Sequence, residues 1–222
     1  MKNYWWKITA VILLIYTFVG GLLLEAPRLN ILQETIRNLY FHVPMWFGMM
    51  ILLTISVVYS IKYLRNPLQK YDDWAIESAN TGLLFGVLGI VTGMIWAKFT
   101  WGSYWSNDPK QNAAAIAMLI YSAYVLLRNS LTDPQQRGRI SAIYNIFAFA
   151  TYIPLIYILP RLTDSLHPGN GGNPGFNAYD LDSKLRLVFY PSVIAWALLG
   201  IWITSLRVRW KKLAEKMLEI QD

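Results

Sequence analysis

Two histidines stand out in this chain, because no other residue of that type occurs in its 222 positions. His42 lies in the stretch YFHVPMWF, and His167 opens the stretch HPGNGGNPG. Between them, WGSYWSNDPK at 101–110 places three aromatic rings within five residues and then turns hydrophilic. Imidazole nitrogens bind transition metals, and large aromatic rings cover flat apolar surfaces. The three stretches together indicate a ligand that contains a metal and has a flat, apolar body.

The number of imidazoles restricts the kind of metal centre. A zinc site takes three or four protein ligands, the chain has no cysteine, and its acidic residues show no HExxH-like spacing. Haem iron, in contrast, accepts two axial imidazoles because the porphyrin supplies the other four nitrogens. We therefore predict that His42 and His167 ligate one haem b. The lack of cysteine excludes thioether attachment, so this haem would be bound non-covalently.

The shape of haem suggests the rest of the site. Trp101, Tyr104 and Trp105 are expected to lie against the macrocycle. Its propionates need cations at the water boundary, and the candidates are Arg37, Lys98, Lys110 and Arg186. His42 is followed by Val43-Pro44 at a helix end and is expected to be the fixed ligand. His167 lies in a Gly- and Pro-rich stretch and is expected to be the releasable one.

Each of these features also has an ordinary structural explanation. A single histidine at a membrane interface is commonly just hydrogen-bonded, and Trp and Tyr form interfacial belts. Trp5, Trp6, Trp74 and Trp210 fit such a belt at the opposite face. The hydrophilic end SNDPK and the pairing of two histidines on one side favour the ligand-binding interpretation.

The site must be positioned by membrane helices. The chain is 55% hydrophobic and 15% charged, and it contains six uncharged runs of 17 to 24 residues, about the length that crosses a bilayer. We predict an all-α polytopic membrane protein with a single domain over 1–222. The first run has no small-residue cleavage site, so we predict a retained helix and no removable signal peptide. The six predicted spans are 8–24, 43–61, 78–97, 112–128, 140–160 and 187–206.

The basic residues predict the orientation of the spans. Of the 20 Lys and Arg residues, 13 fall in the two terminal segments and the second and fourth loops, so both termini are expected to be cytoplasmic. The net charge of +7 then reflects topology, and no nucleic-acid partner is expected. Loops 25–41, 98–111 and 161–186 face outward and would form the haem site. Residues 28–40 are expected to form a surface amphipathic helix, and HPGNGGNPG is expected to act as a lid.

The stretch WGSYWSNDPK resembles the tryptophan-rich WWD signature of the CcmC/CcsA family of cytochrome c maturation proteins. Trp101, Gly102, Trp105, Asp108 and Lys110 match its form W-G-x-x-W-x-W-D-x-[RK]. Two positions depart from it, since Tyr104 replaces a frequent Trp and Asn107 replaces the last Trp. The family also places one histidine before the signature and one after it, as His42 and His167 stand here, and a basic residue such as Arg37 before the first ligand. Six spans and 222 residues resemble the short CcmC branch.

The resemblance implies a role that the residues alone do not. Short members present haem on the outer, periplasmic side of the bacterial cytoplasmic membrane and pass it to a membrane-anchored haem chaperone. They work with an ABC-type transporter complex and a small single-span subunit. No Walker-type motif occurs in this chain, so no ATP hydrolysis is expected of it. The chain is expected to be a haem-transfer protein without a catalytic motif, and whether it counts as a haem lyase stays open.

Three other functions fit parts of the sequence. A transporter or channel would move haem or another solute through the bundle, although such proteins usually carry ionisable groups in their spans. A membrane enzyme would use Asp108 as a general base, but no acid partner is apparent. A quinol-oxidising b-type cytochrome would need a histidine pair inside the membrane, whereas both histidines here lie at its edge. The most informative observation is the absorption spectrum of the purified protein with and without added haem, because the lack of a Soret band under both conditions would contradict the predicted haem site.

Overall fold

The computed structural model describes residues 4–27, 32–167 and 181–221, and no strand occurs among them. Six helices are long and apolar enough to cross a membrane, which confirms the predicted all-α fold of a multi-pass membrane protein. The elements are α1 (Trp5–Leu23), a 3-10 helix (Gln33–Asn38), α2 (Leu39–Arg65), α3 (Gln69–Trp101), α4 (Pro109–Ser130), α5 (Pro134–Ile153), a π-helix (Pro154–Ile158), α6 (Leu159–Leu162) and α7 (Ser183–Gln221).

The helices extend beyond the uncharged runs, because charge limits burial in lipid but does not stop a helix. α3 starts at Gln69, well before the predicted span 78–97, and its acids have partners on α7. Asp73 accepts from Lys211 and Glu77 from Arg207, both at 2.5 Å. α2 likewise starts at Leu39, so His42 lies in the first turn of a helix.

Two predictions about the loops need correction or fall outside the described residues. In place of the single amphipathic helix predicted over 28–40, the described part of this stretch forms a 3-10 helix over Gln33–Asn38 and then the start of α2 at Leu39. Residues 28–31 lie outside the described residues. The predicted lid lies outside them as well, apart from His167 itself.

A proline also divides the fifth span, which was predicted as one helix over 140–160. Pro154 has no backbone N–H to donate, and its ring clashes with the carbonyl of the residue four positions earlier, so it disturbs the α-helical hydrogen bonding at this point. α5 therefore ends at Ile153, and the chain passes through a π-helix over Pro154–Ile158. This widened turn places Ile156 and Tyr157 against the cavity described below.

Helix α2 is the centre of the bundle and packs against α3, α5 and α7. Its contact with α3 depends on glycines that recur every three or four residues on α3. A Cβ added at these glycines would lie 2.6–3.2 Å from α2 side chains, so the facing side chain would have to move in each case. The facing pairs are Gly82 with Leu53, Gly86 with Met49, Gly89 with Trp46 and Gly93 with His42. This row of glycines therefore sets the distance between α2 and α3 and positions His42.

A buried ion pair joins α3 to α4 at the opposite end of the bundle. Arg128 donates two hydrogen bonds to Asp72, from Nη1 to Oδ1 at 2.8 Å and from Nη2 to Oδ2 at 2.5 Å. Both residues are 5% exposed. Paired charges of this kind are costly to separate, because removal of one partner leaves the other buried and uncompensated.

We predict that Asp72→Ala lowers the free energy of unfolding by about 3–5 kcal/mol, because Arg128 loses its buried counter-charge. Denaturant unfolding of the detergent-solubilised protein measures the loss. The control is Glu25→Ala, which removes an exposed ion pair with Lys184 and should cost about 0–1 kcal/mol. Equal losses in the two variants would contradict the assignment.

Candidate functional site

A cavity of about 210 Å³ lies at the end of the bundle where α2 and α4 begin and α3 ends. Both histidines line it, although they are far apart in sequence. Aromatic rings and one lysine from α2, α3, α4 and the loop before α4 supply much of the rest of the wall. These residues are Trp46, Trp96, Trp101, Trp105 and Lys110.

His42 is oriented by a threonine on α3. Its Nδ1 lies 3.1 Å from Thr92 Oγ1. We assign the Thr92 hydroxyl hydrogen to the Leu88 carbonyl oxygen at 2.8 Å, which leaves the hydroxyl oxygen to accept from His42. Nδ1 therefore carries the imidazole proton, and Nε2 keeps its lone pair. Trp46 and Trp96 meet the imidazole edge to face, with centroid distances of 6.3 and 5.9 Å.

His167 is oriented by a carboxylate. Its Nδ1 lies 2.9 Å from Oδ1 of Asp108, which is 4% exposed. The same carboxylate accepts from the backbone N–H of Leu166 at 2.7 Å and from Ser165 Oγ at 2.9 Å. It also caps α4 by accepting from the Lys110 N–H at 2.8 Å. Residues 165–167 are thus fastened to the start of α4.

These contacts determine the charge of Asp108. Burial on its own raises the pKa of this carboxyl group. The hydrogen bonds from His167 and from the Leu166 and Lys110 amides outweigh burial and hold the pKa well below its usual range. Asp108 is therefore an ionised acceptor, and Nδ1 of His167 is the donor. When the imidazole of His167 is neutral, donation from Nδ1 leaves Nε2 as the nitrogen with the lone pair, the one that can bind a metal.

The aromatic loop is held against the first turns of α4. Trp105 Nε1 donates to Asn112 Oδ1 at 3.1 Å, and the Ser106 N–H donates to Gln111 Oε1 at 3.0 Å. Asn112 also donates to the carbonyl oxygen of Asn107 at 3.1 Å. Asn107 has a φ of 56°, a left-handed conformation that asparagine adopts more readily than tryptophan. Its presence in place of the usual Trp therefore suits the backbone.

The remaining predicted residues lie around the cavity rather than in its wall. Gly102 ends α3 with a φ of 80°, and Tyr104 is 54% exposed. Lys98 donates to the Gly102 carbonyl oxygen at 2.9 Å. Arg37 donates to the carbonyl oxygens of Gly21 and Leu24, and Arg186 donates to that of Leu181. Of the four predicted cations, Lys110 lines the cavity.

Sequence reasoning missed four residues that shape the site. Trp46 and Trp96 line the cavity, Thr92 orients His42, and Gly93 makes room for it. Trp46 follows His42 by four positions, so helical spacing alone placed it on the same face. The repeated glycines of α3 can be read from the sequence, but the sequence does not show that α2 is the helix that packs against them.

The two imidazole nitrogens suit a metal whose other ligands come from its own prosthetic group. Within the described ranges, no three His, Cys, Asp or Glu side chains gather as a metal site. The cavity instead offers two imidazoles, each with Nδ1 held by an acceptor and Nε2 carrying the lone pair. Second-sphere acceptors of this kind fix the tautomer of metal-binding histidines. Two such nitrogens among tryptophans fit the axial positions of haem iron.

Comparison with known proteins finds a family that matches most of the chain and relatives that match part of it. The family model described as Cytochrome C assembly protein matches residues 3–167. A cytochrome c biogenesis protein CcsA from Pelargonium hortorum is 44% identical over 79 residues, which are 35% of this chain and 25% of that protein. CcsA from Arabidopsis thaliana is 36% identical over 96 residues, 43% of this chain and 28% of that protein.

A cyanobacterial relative shows the same partial match. CcsA from Synechococcus sp. (strain CC9311) is 42% identical over 71 residues, 32% of this chain and 23% of that protein. The matches thus cover less than a third of the length of these relatives. They do not distinguish the short CcmC branch, which stays a prediction.

We predict that Gly93→Ala weakens haem binding by about 10-fold or more, because its Cβ would lie 2.6 Å from Cε1 of His42 and displace the imidazole. A haem titration followed at the Soret band measures this change. Gly20→Ala is the control, since its Cβ would meet a Val188 methyl group at 3.3 Å and neither residue lines the cavity. Unchanged haem affinity in Gly93→Ala would show that haem binding does not depend on the position of His42.

Proposed function

We propose that this chain, which belongs to the cytochrome C assembly protein family, binds haem b non-covalently and serves the maturation of c-type cytochromes. The observation that carries this proposal is that His42 and His167 line one cavity with both Nδ1 atoms engaged. The names of the relatives, cytochrome c biogenesis proteins, support the pathway.

Different residues of the chain would contact different parts of haem. Haem iron, when bound, would take its axial ligands from Nε2 of His42 and Nε2 of His167. Trp101 packs against the imidazole of His167 at a centroid distance of 4.8 Å and limits its rotation. Trp96 and Trp105 contribute apolar wall against which a porphyrin would lie. Lys110 supplies positive charge for a propionate.

The transfer step and its location are part of the same proposal. We infer from the distribution of Lys and Arg that both termini are cytoplasmic and that the cavity faces the outer side of the membrane. The proposal of a bacterial cytoplasmic membrane with a periplasmic site follows the family that the sequence resembles. Haem would pass from this site to a membrane-anchored haem chaperone. An ABC-type transporter complex and a small single-span subunit would be further partners, as in the family that the sequence resembles.

We predict that Trp105→Ala weakens haem retention by more than about 1 kcal/mol, because it removes a large ring from the cavity wall. Retention during gel filtration and the Soret absorbance measure the effect. Tyr104→Ala is the matched control, since it removes an aromatic ring of the same loop that is 54% exposed and outside the cavity wall. Equal losses would mean that the loop acts only as an interfacial belt.

We predict that His42→Gly and His167→Gly each change the spectrum of the haem-loaded protein, because each removes one axial nitrogen. Added imidazole should restore the bis-imidazole spectrum by filling the vacant position. Absorption spectra of the oxidised and reduced protein provide the measurement. If His167→Gly keeps the wild-type spectrum without added imidazole, the second ligand lies elsewhere. If the unaltered protein gives no Soret band with haem, the proposed function is wrong.

A further inference from the structure

Asp108 is the most heavily engaged side chain near the cavity, yet it is absent from the cavity wall. Its two oxygens accept from the Lys110 and Leu166 amides, from Ser165 Oγ and from His167 Nδ1. Three of these four donors belong to residues 165–167. The carboxylate is therefore occupied by the segment that carries His167.

We propose that Asp108 is the positioning residue for His167, and that it makes this imidazole the stronger of two unlike axial donors. The inference rests on the proposed haem site. Asp108 does not touch haem itself. It acts through His167, whose Nδ1–H it accepts and whose Nε2 it thereby directs and enriches in electron density.

The two histidines differ in the acceptor that faces Nδ1. The Nδ1–H of His42 is accepted by the neutral hydroxyl of Thr92, whereas that of His167 is accepted by a carboxylate. A charged acceptor forms a stronger hydrogen bond and raises the basicity of the imidazole behind the metal. A more basic axial ligand stabilises ferric iron, so the carboxylate should lower the reduction potential of bound haem.

Asp108→Asn is a sharp test because it changes little else. Asparagine caps helices as well as aspartate does, so the start of α4 is kept. The amide is uncharged, however, and its NH2 group must face one of the donors that the carboxylate now accepts. The chain supplies a matched control in Asp133→Asn. Asp133 also precedes a proline and also caps a helix, α5, by accepting from the Gln136 N–H at 2.6 Å.

The full-length protein is titrated with haem, and the reduction potential of the bound haem is measured. We expect Asp108→Asn to weaken binding by about 10–100-fold, the range found for second-sphere partners of metal ligands, and to raise the potential. Asp133→Asn should change neither quantity. An Asp108→Asn protein with wild-type affinity and potential would overturn the inference.

A double variant separates positioning from a general structural role. If Asp108 acts through His167, Asp108→Asn should cost no further affinity in a His167→Gly background, where binding depends on His42. The same fold-loss in both backgrounds would overturn the inference and leave the proposed haem site intact. Failure of the unaltered protein to bind haem would overturn the proposed function, and this inference with it.

Discussion

The close contact between α2 and α3 is the constraint on which the site depends. In lipid, apolar side chains gain little by leaving their surroundings, so helices associate through tight packing and small residues. Here the glycines of α3 leave no Cβ between the helices, and side chains of α2 stand directly over α3 backbone. The two residues nearest the cavity in this contact are Trp46 and His42. The fold and the position of the first imidazole thus have one physical cause.

The same contact places the rest of the site. Because α3 is held against α2 along its length, its last turns lie beside the start of α2, where His42 is. Trp96 and Trp101 therefore reach the cavity from α3, and the chain leaves the helix at Gly102 directly above it. The Asp108-Pro109 cap then begins α4 without a long connection, which brings Asp108 within reach of residues 165–167.

The sequence predicts those parts of this arrangement that a bilayer imposes. Uncharged runs identify the six spans because lipid excludes charge, and both histidines were placed at one edge by the same argument. The ends of α3 were not predictable, because Asp73 and Glu77 are tolerated only through partners on α7. The orienting roles of Thr92 and Asp108 were hidden for a similar reason. A hydrogen bond between residues far apart in the sequence cannot be recognised from the sequence of either segment.

In the proposed role, the two histidines differ in how firmly the fold holds them. His42 is part of a helix, and its partner Thr92 lies on the most tightly packed neighbouring helix. His167 was expected to be releasable because it opens a Gly- and Pro-rich stretch, but residues 165–167 are fastened to one carboxylate. In the proposed role, release therefore means separating one small cluster from Asp108, while α2 and α3 stay packed. Because the donors of that cluster share a single acceptor, one displacement of residues 165–167 would break these hydrogen bonds together and carry His167 away from the cavity.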